Sequence, residues 1–539
     1  MNGANLLVKA LESENVKYIF GYPGVSICPL YDAITDSEIK PVLMRNEQSA
    51  GHAANGYSRV SGGVGVVAVS SGPGATNLIT AIATAFADSI PMICITGQVP
   101  CEQIGSDMFQ EADIVGACES FVKYSYSVRA AKDIPRIVKE AFYIASTGRK
   151  GPVLIDLPID VQNAPGGEYE PIDKISLRTY KPTVKGHAVQ IKKVVNVLSE
   201  AERPILCVGG GVISAGAQEE VIRFAQKINL PVVTTMMGIG VMPGDHPLHI
   251  GMVGNNGKKY ANRAMNESDV LIMVGARVAD RAVSQPDLIT KDKILVHIDV
   301  DPAEIGKNAG PSIPIVGDAK AIFEELNNAE LSCDFTPWLE RLKYYSKTRD
   351  EKTESTAKYV DPNEFLKTLS TALDDDAVYV ADVGQNQIYS CANYTVKHGH
   401  FLTSGGMGTM GYSIPAAIGA SLAAPGKQVV CVIGDGAIQM VLGELSVAAL
   451  LNCNIKIIIM DNRCLGMIRE YQHTHYENRY NMVDLCSLPD YSMIAKAYDI
   501  PYLLVSNNEE AKDSIGKILS GDGPVIAEID VDADAFTAN

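Results

Sequence analysis

The chain has 539 residues, more than one hydrophobic core usually supports, so several domains are expected. Hydrophobic residues make up 46% and charged residues 20%, which is typical of a globular protein and excludes extensive disorder. The formal net charge of -17 and the lack of a Lys/Arg-rich run exclude a nucleic-acid-binding role.

Signals for a membrane or an oxidising compartment are not evident in the sequence. The first residues lack a basic region followed by an apolar core, and no run reaches the roughly 20 apolar residues of a spanning helix. The 11 cysteines are scattered from Cys28 to Cys486 without a C-x-x-C pair, which argues against disulfides and structural zinc. We therefore expect a cytoplasmic protein with no membrane partner.

Four Val- and Ile-rich runs open the chain, each followed by enough residues for a helix: KYIFGYPG, VGVVAVSSGPG, PMICITGQ and PVLIDLP. This alternation predicts a buried parallel sheet with helices between its strands. It indicates a first domain over residues 1–165. A polar stretch from Gln162 to Gly186, with three prolines and no apolar periodicity, is typical of a linker.

Two further series of the same kind follow. PILCVGGG, LPVVTTMMG, VLIMVGARV, KILVHIDVDP and PIVGD predict a central domain over 186–330, and a weakly patterned region from Ser332 to Val360 comes after it. AVYVADVGQ, KQVVCVIGDG, IKIIIMDN and PVIAEIDVD predict a C-terminal domain over 360–535. The expected fold class is α/β, with three doubly wound parallel-sheet domains.

The sharpest local motif is GDG at Gly434 to Gly436, after the apolar run VVCVI, with Asn462 closing the run IKIIIM. If both runs are strands, Asp435 and Asn462 offer a carboxylate and an amide oxygen to one ion. The main-chain carbonyl of Cys464 and two diphosphate oxygens would complete the octahedral oxygen shell that Mg²⁺ prefers. A lone GDG is more often a tight turn, so the motif needs support from other segments.

Two segments near the N-terminus support a resemblance to the thiamine-diphosphate-dependent enzymes. In RNEQSAGHAANGYSRVSG, Glu47 matches the activating glutamate, which by this resemblance shares a proton with N1′ of the cofactor's pyrimidine. In SSGPGATN, Pro73 and Asn77 match residues that contact the pyrimidine. The first domain would then be pyrimidine-binding, the central domain of the FAD-binding type and the third diphosphate-binding.

Two C-terminal segments extend the resemblance. DVGQNQ is similar to a diphosphate-binding loop, with Gly384, Gln385 and Asn386 as candidate contacts. SGGMGTMGYSIPAAIGA resembles the segment that bends the cofactor, with Met410 beneath it and the Gly408 carbonyl accepting from the 4′-amino group. Further cofactor contacts implied by the resemblance are Gly434, Gly436, Ala437 and Met467.

Longer stretches narrow the resemblance to the acetolactate synthases (acetohydroxyacid synthases). They include IGSDMFQEADIVG with Gln110 and FVKYS with Lys123, two residues that would then serve catalysis in the substrate channel. The resemblance implies a carboligase that decarboxylates pyruvate and adds the hydroxyethyl carbanion to a second 2-oxo acid. The product would be 2-acetolactate or 2-aceto-2-hydroxybutyrate, intermediates of branched-chain amino-acid biosynthesis.

FAD is implied by the resemblance alone, as a cofactor whose redox chemistry is not used. Neither VGGG nor VGAR is a G-x-G-x-x-G fingerprint, so spacing by itself gives only a weak indication of a dinucleotide. The residues that match flavin contacts are Gly209, Gly210, Gly211, Thr235, Met236, Gly254, Arg277, Asp299 and Asp318.

Three residues match positions that select substrates. Arg281 would pair with the carboxylate of the acceptor. Val25, in GYPGVS where the family usually has GYPGGA, and Tyr471, where it usually has Trp, leave the donor and acceptor open. The alternative is a related thiamine-diphosphate decarboxylase or carboligase with another donor or acceptor. A catalytically silent paralogue is disfavoured because Glu47 and the metal ligands are intact.

The expected partners follow from the division of the site between domains. Glu47 lies in the first domain and the metal ligands lie in the third, and in the family such sites form between two subunits. The resemblance therefore implies a homodimer or homotetramer, acting on small 2-oxo acids, with a small regulatory subunit as a further possible partner.

Overall fold

The computed structural model describes residues 1–283, 289–347, 358–487 and 489–537. Each of the three domains contains a six-stranded sheet in which all strands are parallel, and helices flank the sheets. The predicted α/β fold class is confirmed. All 11 cysteines are unpaired, and no helix within the described residues is long and apolar enough to cross a membrane.

The first sheet has the strand order β2-β1-β3-β4-β6-β5. Its strands are β1 Tyr18–Tyr22, β2 Lys40–Leu43, β3 Gly65–Val69, β4 Met92–Gln98, β5 Tyr124–Ser127 and β6 Pro152–Pro158. Its helices are α1 Gly3–Ser13, α2 Cys28–Ile34, α3 Glu47–Ser61, α4 Pro73–Asp88, α5 Ile114–Cys118, α6 Ile134–Ser146 and α7 Ile159–Asn163. Alternate residues of β3 enter different cores, because helices cover both faces of the sheet.

The central sheet has the order β12-β11-β10-β7-β8-β9 and encloses a separate core. Its strands are β7 Pro204–Val208, β8 Val232–Thr234, β9 His249–Met252, β10 Val270–Val274, β11 Ile294–Asp299 and β12 Ile313–Val316. Its helices are α8 Ala188–Glu200, α9 Gly210–Ala215, α10 Gln218–Lys227, α11 Lys259–Glu267, α12 Ala319–Asn328 and α13 Thr336–Lys347.

The C-terminal sheet has the order β14-β13-β15-β16-β18-β17. Its strands are β13 Val378–Ala381, β14 His400–Leu402, β15 Val429–Gly434, β16 Ile455–Asp461, β17 Tyr502–Val505 and β18 Val525–Asp530. Its helices are α14 Pro362–Ala372, α15 Gln385–Asn393, α16 Ser413–Ala423, α17 Asp435–Gln439, α18 Leu445–Leu450, α19 Gly466–His475, α20 Tyr491–Ala497 and α21 Asn508–Leu519.

The first and third domains share one hydrophobic core, in which α3 packs directly against α16. The two helix backbones approach closely where each carries a glycine. A Cβ on Gly56 would lie 2.7 Å from the carbonyl carbon of Ala416, and a Cβ on Gly419 would lie 2.8 Å from that of Ala53. Because α3 begins at Glu47 and α16 follows the Gly408–Met410 loop, this contact fixes two candidate catalytic segments relative to each other.

One of the two connecting regions differs from the sequence interpretation. The Gln162–Gly186 stretch begins inside α7 and then runs without helix or strand, in keeping with a linker, and the Tyr180 hydroxyl donates to the Thr147 carbonyl at 2.7 Å. The region from Ser332 to Val360 was expected to be weakly structured, but it contains α13. Buried Trp338 and other apolar side chains of α13 pack on the central core. Residues 348–357 of this region lie outside the described residues.

Candidate functional site

Glu47 is the first residue of α3, in the first domain. Helix α3 begins there because Asn46 caps it, accepting from the Gln48 N–H at 2.8 Å. Helix α4 begins at Pro73, a favoured residue for a first turn, and presents Asn77 beside Glu47. The Asn77 Nδ2 donates to Glu47 Oε2 at 3.0 Å. The structure thus holds one carboxylate oxygen of Glu47 in a fixed position between two helix N-termini.

The loop before α4 brings two more candidate residues to the same edge of the sheet. Gly72 has a φ of +57°, and a Cβ on it would lie 2.9 Å from the Gln110 Cβ, so Gln110 packs directly on this turn. Ser26 Oγ and Ser70 Oγ form a hydrogen bond of 3.0 Å, which ties the loop carrying Val25 to the same strand end. The Val25 side chain is 77% exposed. This edge therefore carries an acid, an amide and an open apolar wall.

In the third domain, Asp435 stands at the end of β15, where Gly434 pairs in register with Met460 of β16. Its Oδ1 accepts from the Gly436 N–H at 2.8 Å, whereas its buried Oδ2 has no hydrogen-bond partner. Burial, and after it the nearby Asp461 carboxylate, raises the pKa of Asp435 to about 8. A buried carboxylate with an unsatisfied oxygen is costly unless a cation lies against it. The donor set therefore fits a divalent cation.

Asn462 follows β16 directly, at the same edge of the sheet as Asp435. Its Nδ2 donates to Gln385 Oε1 at 3.0 Å, while its Oδ1 accepts from the Cys464 N–H at 3.1 Å. Gly384, with a φ of +120°, begins the turn into α15. The Asn386 side chain donates to the Asp382 carbonyl at 2.9 Å, so the amides of Gln385 and Asn386 are engaged within the protein. Carboxylate, amide and main-chain oxygens are the ligands that Mg²⁺ prefers.

Asp382, a residue absent from the sequence prediction, shapes the loop between Gly408 and α16. It is fully buried and accepts from the N–H groups of Gly411 at 3.0 Å and Ser413 at 2.9 Å. Gly408 has a φ of +68°, which suits glycine, and Met410 packs partly buried against the shared core. The buried aspartate thus fixes the turn that carries both candidate residues.

Comparison with known proteins agrees with this geometry. Models of the thiamine pyrophosphate enzyme family match residues 1–117 as the N-terminal TPP binding domain, 191–326 as the central domain and 382–529 as the C-terminal TPP binding domain. The probable acetolactate synthase large subunit of Methanocaldococcus jannaschii is 43% identical over 99% of this chain and 92% of that protein. The chain belongs to the acetolactate synthase large subunits of the thiamine pyrophosphate enzyme family. The resemblance predicted from the sequence is confirmed.

Two bacterial relatives show the same breadth of similarity. The acetolactate synthase large subunit of Haemophilus influenzae is 41% identical over 96% of this chain and 92% of that protein. The acetolactate synthase isozyme 3 large subunit of Escherichia coli is 38% identical over the same shares of the two chains. The similarity therefore extends across all three domains of this acetolactate synthase-type chain.

A cavity of about 1530 Å³ lies among the three domains of this family member. It reaches Gly384, Gly408 and Met467, next to the diphosphate-side cluster. Seven of the predicted flavin contacts line it: Gly210, Gly211, Thr235, Met236, Arg277, Asp299 and Asp318. Burial raises the pKa of Asp299 to about 6. The cavity has the size and the mixed polar and apolar lining of a large-cofactor site.

Two predicted flavin residues lie behind the cavity wall, and a third uses its side chain locally. Gly209 packs against Gly275, and its N–H donates to the Val274 carbonyl at 3.0 Å. The Gly254 N–H donates to a side-chain amide at 2.9 Å. The Asp318 carboxylate caps α12, accepting from the Lys320 N–H at 2.9 Å. Gly209 and Gly254 therefore support the wall of the cavity through their main chains, whereas the seven lining residues face the cavity itself.

Lys123 does not join the Glu47 cluster in the structure. Its amino group donates to the carbonyls of Ile144 and Thr147, the latter at 2.7 Å, and to the Tyr180 hydroxyl at 2.9 Å. Burial lowers the pKa of Lys123 to about 7. The side chain thus satisfies carbonyls at the end of α6, which is a structural position rather than an open channel.

The other two substrate-selecting candidates lie apart from the Glu47 cluster. Arg281 lines the large cavity. Tyr471 lies on α19, is 52% exposed and stacks on His475 with ring centroids 4.1 Å apart. Ala437, predicted as a cofactor contact, is buried in the short helix α17 that follows Asp435. The exposed Tyr471 ring leaves apolar surface available on the third domain, and the exposed Val25 does so on the first domain.

A second residue that the sequence analysis did not single out, Glu444, lies at the N-terminus of α3 although it belongs to the third domain. The Arg45 N–H donates to both of its carboxylate oxygens, at 3.1 and 3.2 Å. Burial raises the pKa of Glu444 to about 7, opposed by hydrogen bonds from the Ser49 side chain and the Arg45 and Asn46 N–H groups. Glu444 therefore anchors the helix that presents Glu47.

Asp88, at the end of α4, connects this arrangement to the cavity. It accepts from the N–H groups of Gly405 and Gly406, at 3.3 and 2.7 Å, in the loop that leads to Gly408. The neighbouring Ala87 carbonyl accepts from the Arg277 guanidinium, which lines the cavity. One helix end in the first domain thus contacts both of the other domains.

Proposed function

We propose that this acetolactate synthase-type chain decarboxylates pyruvate and joins the remaining two-carbon unit to a second 2-oxo acid. The products are 2-acetolactate or 2-aceto-2-hydroxybutyrate. The observation that carries the proposal is the buried, unpartnered Oδ2 of Asp435 at the end of β15, where the neighbouring strand β16 leads into Asn462. In a chain of this family, that pair is the element through which Mg²⁺ would hold thiamine diphosphate.

The residues of the third domain would bind the charged part of the cofactor. Asp435, Asn462 and the Cys464 carbonyl would hold Mg²⁺, and the backbone around Gly384 and Gly436 leaves room for a diphosphate. Bound thiamine diphosphate supplies an electron sink for decarboxylation and carbon–carbon bond formation. The arrangement of buried carboxylate and fixed amide supports this assignment.

The first domain would supply the acid and the walls of the substrate site. Glu47, held by Asn77, would share its proton with the pyrimidine ring nitrogen of the cofactor. Gln110 would donate its amide to a substrate oxygen. The exposed Val25 would limit the size of the group that fits beside the reacting carbon. Small 2-oxo acids match a site with one amide donor and an apolar wall.

The large cavity would hold FAD. Its volume and its lining by Arg277, Gly210 and Gly211 support this assignment, because a guanidinium and exposed glycine backbone suit a diphosphate. Arg281, on the same cavity, would attract the acceptor carboxylate from the side of the C-terminal domain. The flavin would act as a structural element and not as a redox group.

The active form would be at least a homodimer. Within the part of the chain that the structure describes, the hydrogen bonds of Glu47 and those of Asp435 belong to separate clusters. A second copy would bring its Glu47 edge to the diphosphate side of the first, and two-fold symmetry would produce two identical sites. A homotetramer and a small regulatory subunit are compatible with this arrangement, and we propose the cytoplasm as its location.

The test is product identification with purified protein, pyruvate, thiamine diphosphate and Mg²⁺, with and without FAD and 2-oxobutyrate. We expect 2-acetolactate, and the mixed product when 2-oxobutyrate is present. Glu47→Gln should lower the rate at least about 100-fold, because the isosteric amide cannot share a proton. Glu202→Gln, at an exposed surface glutamate, is the matched control and should leave the rate unchanged.

Two other outcomes would redirect the proposal. Acetaldehyde in place of acetolactate would identify a decarboxylase that does not ligate. Consumption of a different 2-oxo acid, with pyruvate untouched, would identify another donor, and Val25→Gly should then restore use of pyruvate if the wall sets the donor. Thiamine diphosphate that binds without any turnover would indicate a silent member of the family.

A further inference from the structure

Helix α19 contributes a buried acid, Glu470, behind the candidate metal site. Glu470 is 6% exposed. Its Oε2 accepts from Gln385 Nε2 at 2.9 Å. The same Gln385 nitrogen donates to the Ala535 carbonyl at 3.1 Å. On its other side, Gln385 Oε1 accepts from Asn462 Nδ2 at 3.0 Å. Glu470 and Asn462 are therefore connected by hydrogen bonds to one side-chain amide, that of Gln385.

The side chains of Glu470, Gln385 and Asn462 form a row of hydrogen bonds, and only one assignment of donors and acceptors satisfies all of them. An ionised carboxylate accepts hydrogen bonds and cannot donate them. The Glu470 carboxylate and the Ala535 carbonyl both accept, so Gln385 turns its nitrogen to them and its oxygen to Asn462. Asn462 must in turn present its nitrogen to Gln385, which leaves Oδ1 on the side of the Cys464 N–H and the metal position.

The packing of the chain protects this row. Gly466, the first residue of α19, lies where the two amides meet, and a Cβ there would overlap Gln385 Oε1 and crowd Asn462 Nδ2. The Glu470 carboxylate also accepts from the Thr537 N–H at 2.9 Å and from the Thr537 hydroxyl at 3.0 Å. Its position is thus fixed from two sides.

We propose that Glu470 is a positioning residue that sets the amide orientation of Gln385 and thereby turns the oxygen of Asn462 toward the divalent cation. The inference rests on the proposed function, since it assigns the metal position to Asp435 and Asn462. It also changes the role of Gln385, which becomes a relay of orientation rather than a diphosphate contact. An Asn flipped by 180° would present an NH₂ group to the cation, which cannot ligate it.

The experiment measures binding of Mn²⁺, as a substitute for Mg²⁺, to the full chain with thiamine diphosphate by the electron paramagnetic resonance signal of the free ion, without substrate. Glu470→Gln gives Gln385 a partner that can donate or accept, so only the Ala535 carbonyl and, at the other end, the Cys464 N–H still favour the original direction of the two amides. We expect Mn²⁺ affinity to fall about 10-fold, in the range for groups that orient metal ligands.

Two further variants separate orientation from general packing. Thr537→Val removes a hydroxyl from Glu470 but leaves the Gln385 contact, so its Mn²⁺ affinity should equal that of the wild type. The exchange Gln385→Glu with Glu470→Gln conserves charge and gives Asn462 Nδ2 an acceptor that cannot donate, but the new carboxylate also faces the Ala535 carbonyl, so only part of the affinity should return. Its Mn²⁺ affinity should exceed that of Glu470→Gln alone.

Each result decides the matter. Wild-type affinity in Glu470→Gln, equal losses in Thr537→Val and Glu470→Gln, or no recovery in the exchange variant would overturn the positioning role while leaving the proposed function intact. A wild-type chain that binds no Mn²⁺ with thiamine diphosphate would overturn both. The expected pattern of one loss, one unchanged control and one recovery supports the proposal.

Discussion

The close approach of α3 and α16 predicts that Gly419→Ala impairs catalysis from a position where the side chain reaches no substrate. A Cβ at Gly419 would lie 2.8 Å from the Ala53 carbonyl carbon and 2.9 Å from the Tyr57 nitrogen, both backbone atoms. Ordinary contact begins at 3.4 Å, and the Ala53 carbonyl oxygen is closer to this Cβ than either of those atoms, so the helices must separate by more than about 0.6 Å. Overpacking of this kind costs about 1–3 kcal/mol.

The functional loss should exceed what the change in stability explains. Helix α3 carries Glu47, and a displacement of about 1 Å at a reacting group can lower the rate about 100-fold. We expect kcat to fall about 10- to 100-fold in Gly419→Ala, with a lower thermal midpoint and unchanged thiamine diphosphate stoichiometry. The assay is initial-rate acetolactate formation beside thermal unfolding.

The matched control is Gly516→Ala, also a glycine within a helix. A Cβ there would meet nothing within 4 Å, so alanine should stabilise α21 by about 0.5–1 kcal/mol or leave it unchanged. If Gly419→Ala keeps the wild-type kcat and thermal midpoint, the helix contact does not position Glu47 and the reasoning is refuted.

Three further predictions concern single residues. Glu444 has a folded-state pKa raised from 4.5 to about 7, so its contribution to stability is present below pH about 4.5 and is lost as pH rises through 7, by up to about 3 kcal/mol. Glu444→Gln should therefore flatten the dependence of the urea midpoint on pH over this window, and parallel curves for the two proteins would contradict it. Lys123→Met should lower the thermal midpoint, because the Ile144 and Thr147 carbonyls lose a donor at a cost of about 1–3 kcal/mol, without changing KM; a raised KM at unchanged stability would return Lys123 to the channel. Gly211→Val places a Cβ 2.6 Å from the Gly275 Cα, and the purified protein should lose its flavin absorbance; full retention of flavin would show that this wall does not bind it.

The central strands could be predicted from sequence because they are buried on both faces. Runs such as VVCVI and IKIIIM have no alternation to obscure them, and each became an interior strand, β15 or β16. The strands without a counterpart among the apolar runs of the sequence analysis are β2, β5, β9, β14 and β17, and all five lie at sheet edges. Edge strands are short and partly exposed, so their polar residues interrupt the apolar signal.

The site residues also differ in whether local sequence or only the tertiary structure identifies them. Asp435 directly follows β15 and Glu47 is the first residue of the helix after β2, so local sequence identifies them. Glu444 and Glu470 act through partners distant in the chain, and in sequence they look like ordinary helix residues. Asp382 directly follows β13, and an acid at that point is a signal that could have been used. Lys123 shows that a motif match does not reveal which way a side chain turns: its amino group donates to main-chain carbonyls, and its role in the channel stays a prediction.

The end of α4 connects the central cavity to the loop that carries Gly408. Asp88 grips the Gly405–Gly406 backbone while the adjacent carbonyl of Ala87 holds Arg277. A molecule bound against Arg277 in the central cavity would therefore act, through Ala87 and Asp88, on the loop ahead of Gly408. Emptying that cavity should loosen the loop, so the proposed flavin would be required for turnover even without exchanging an electron.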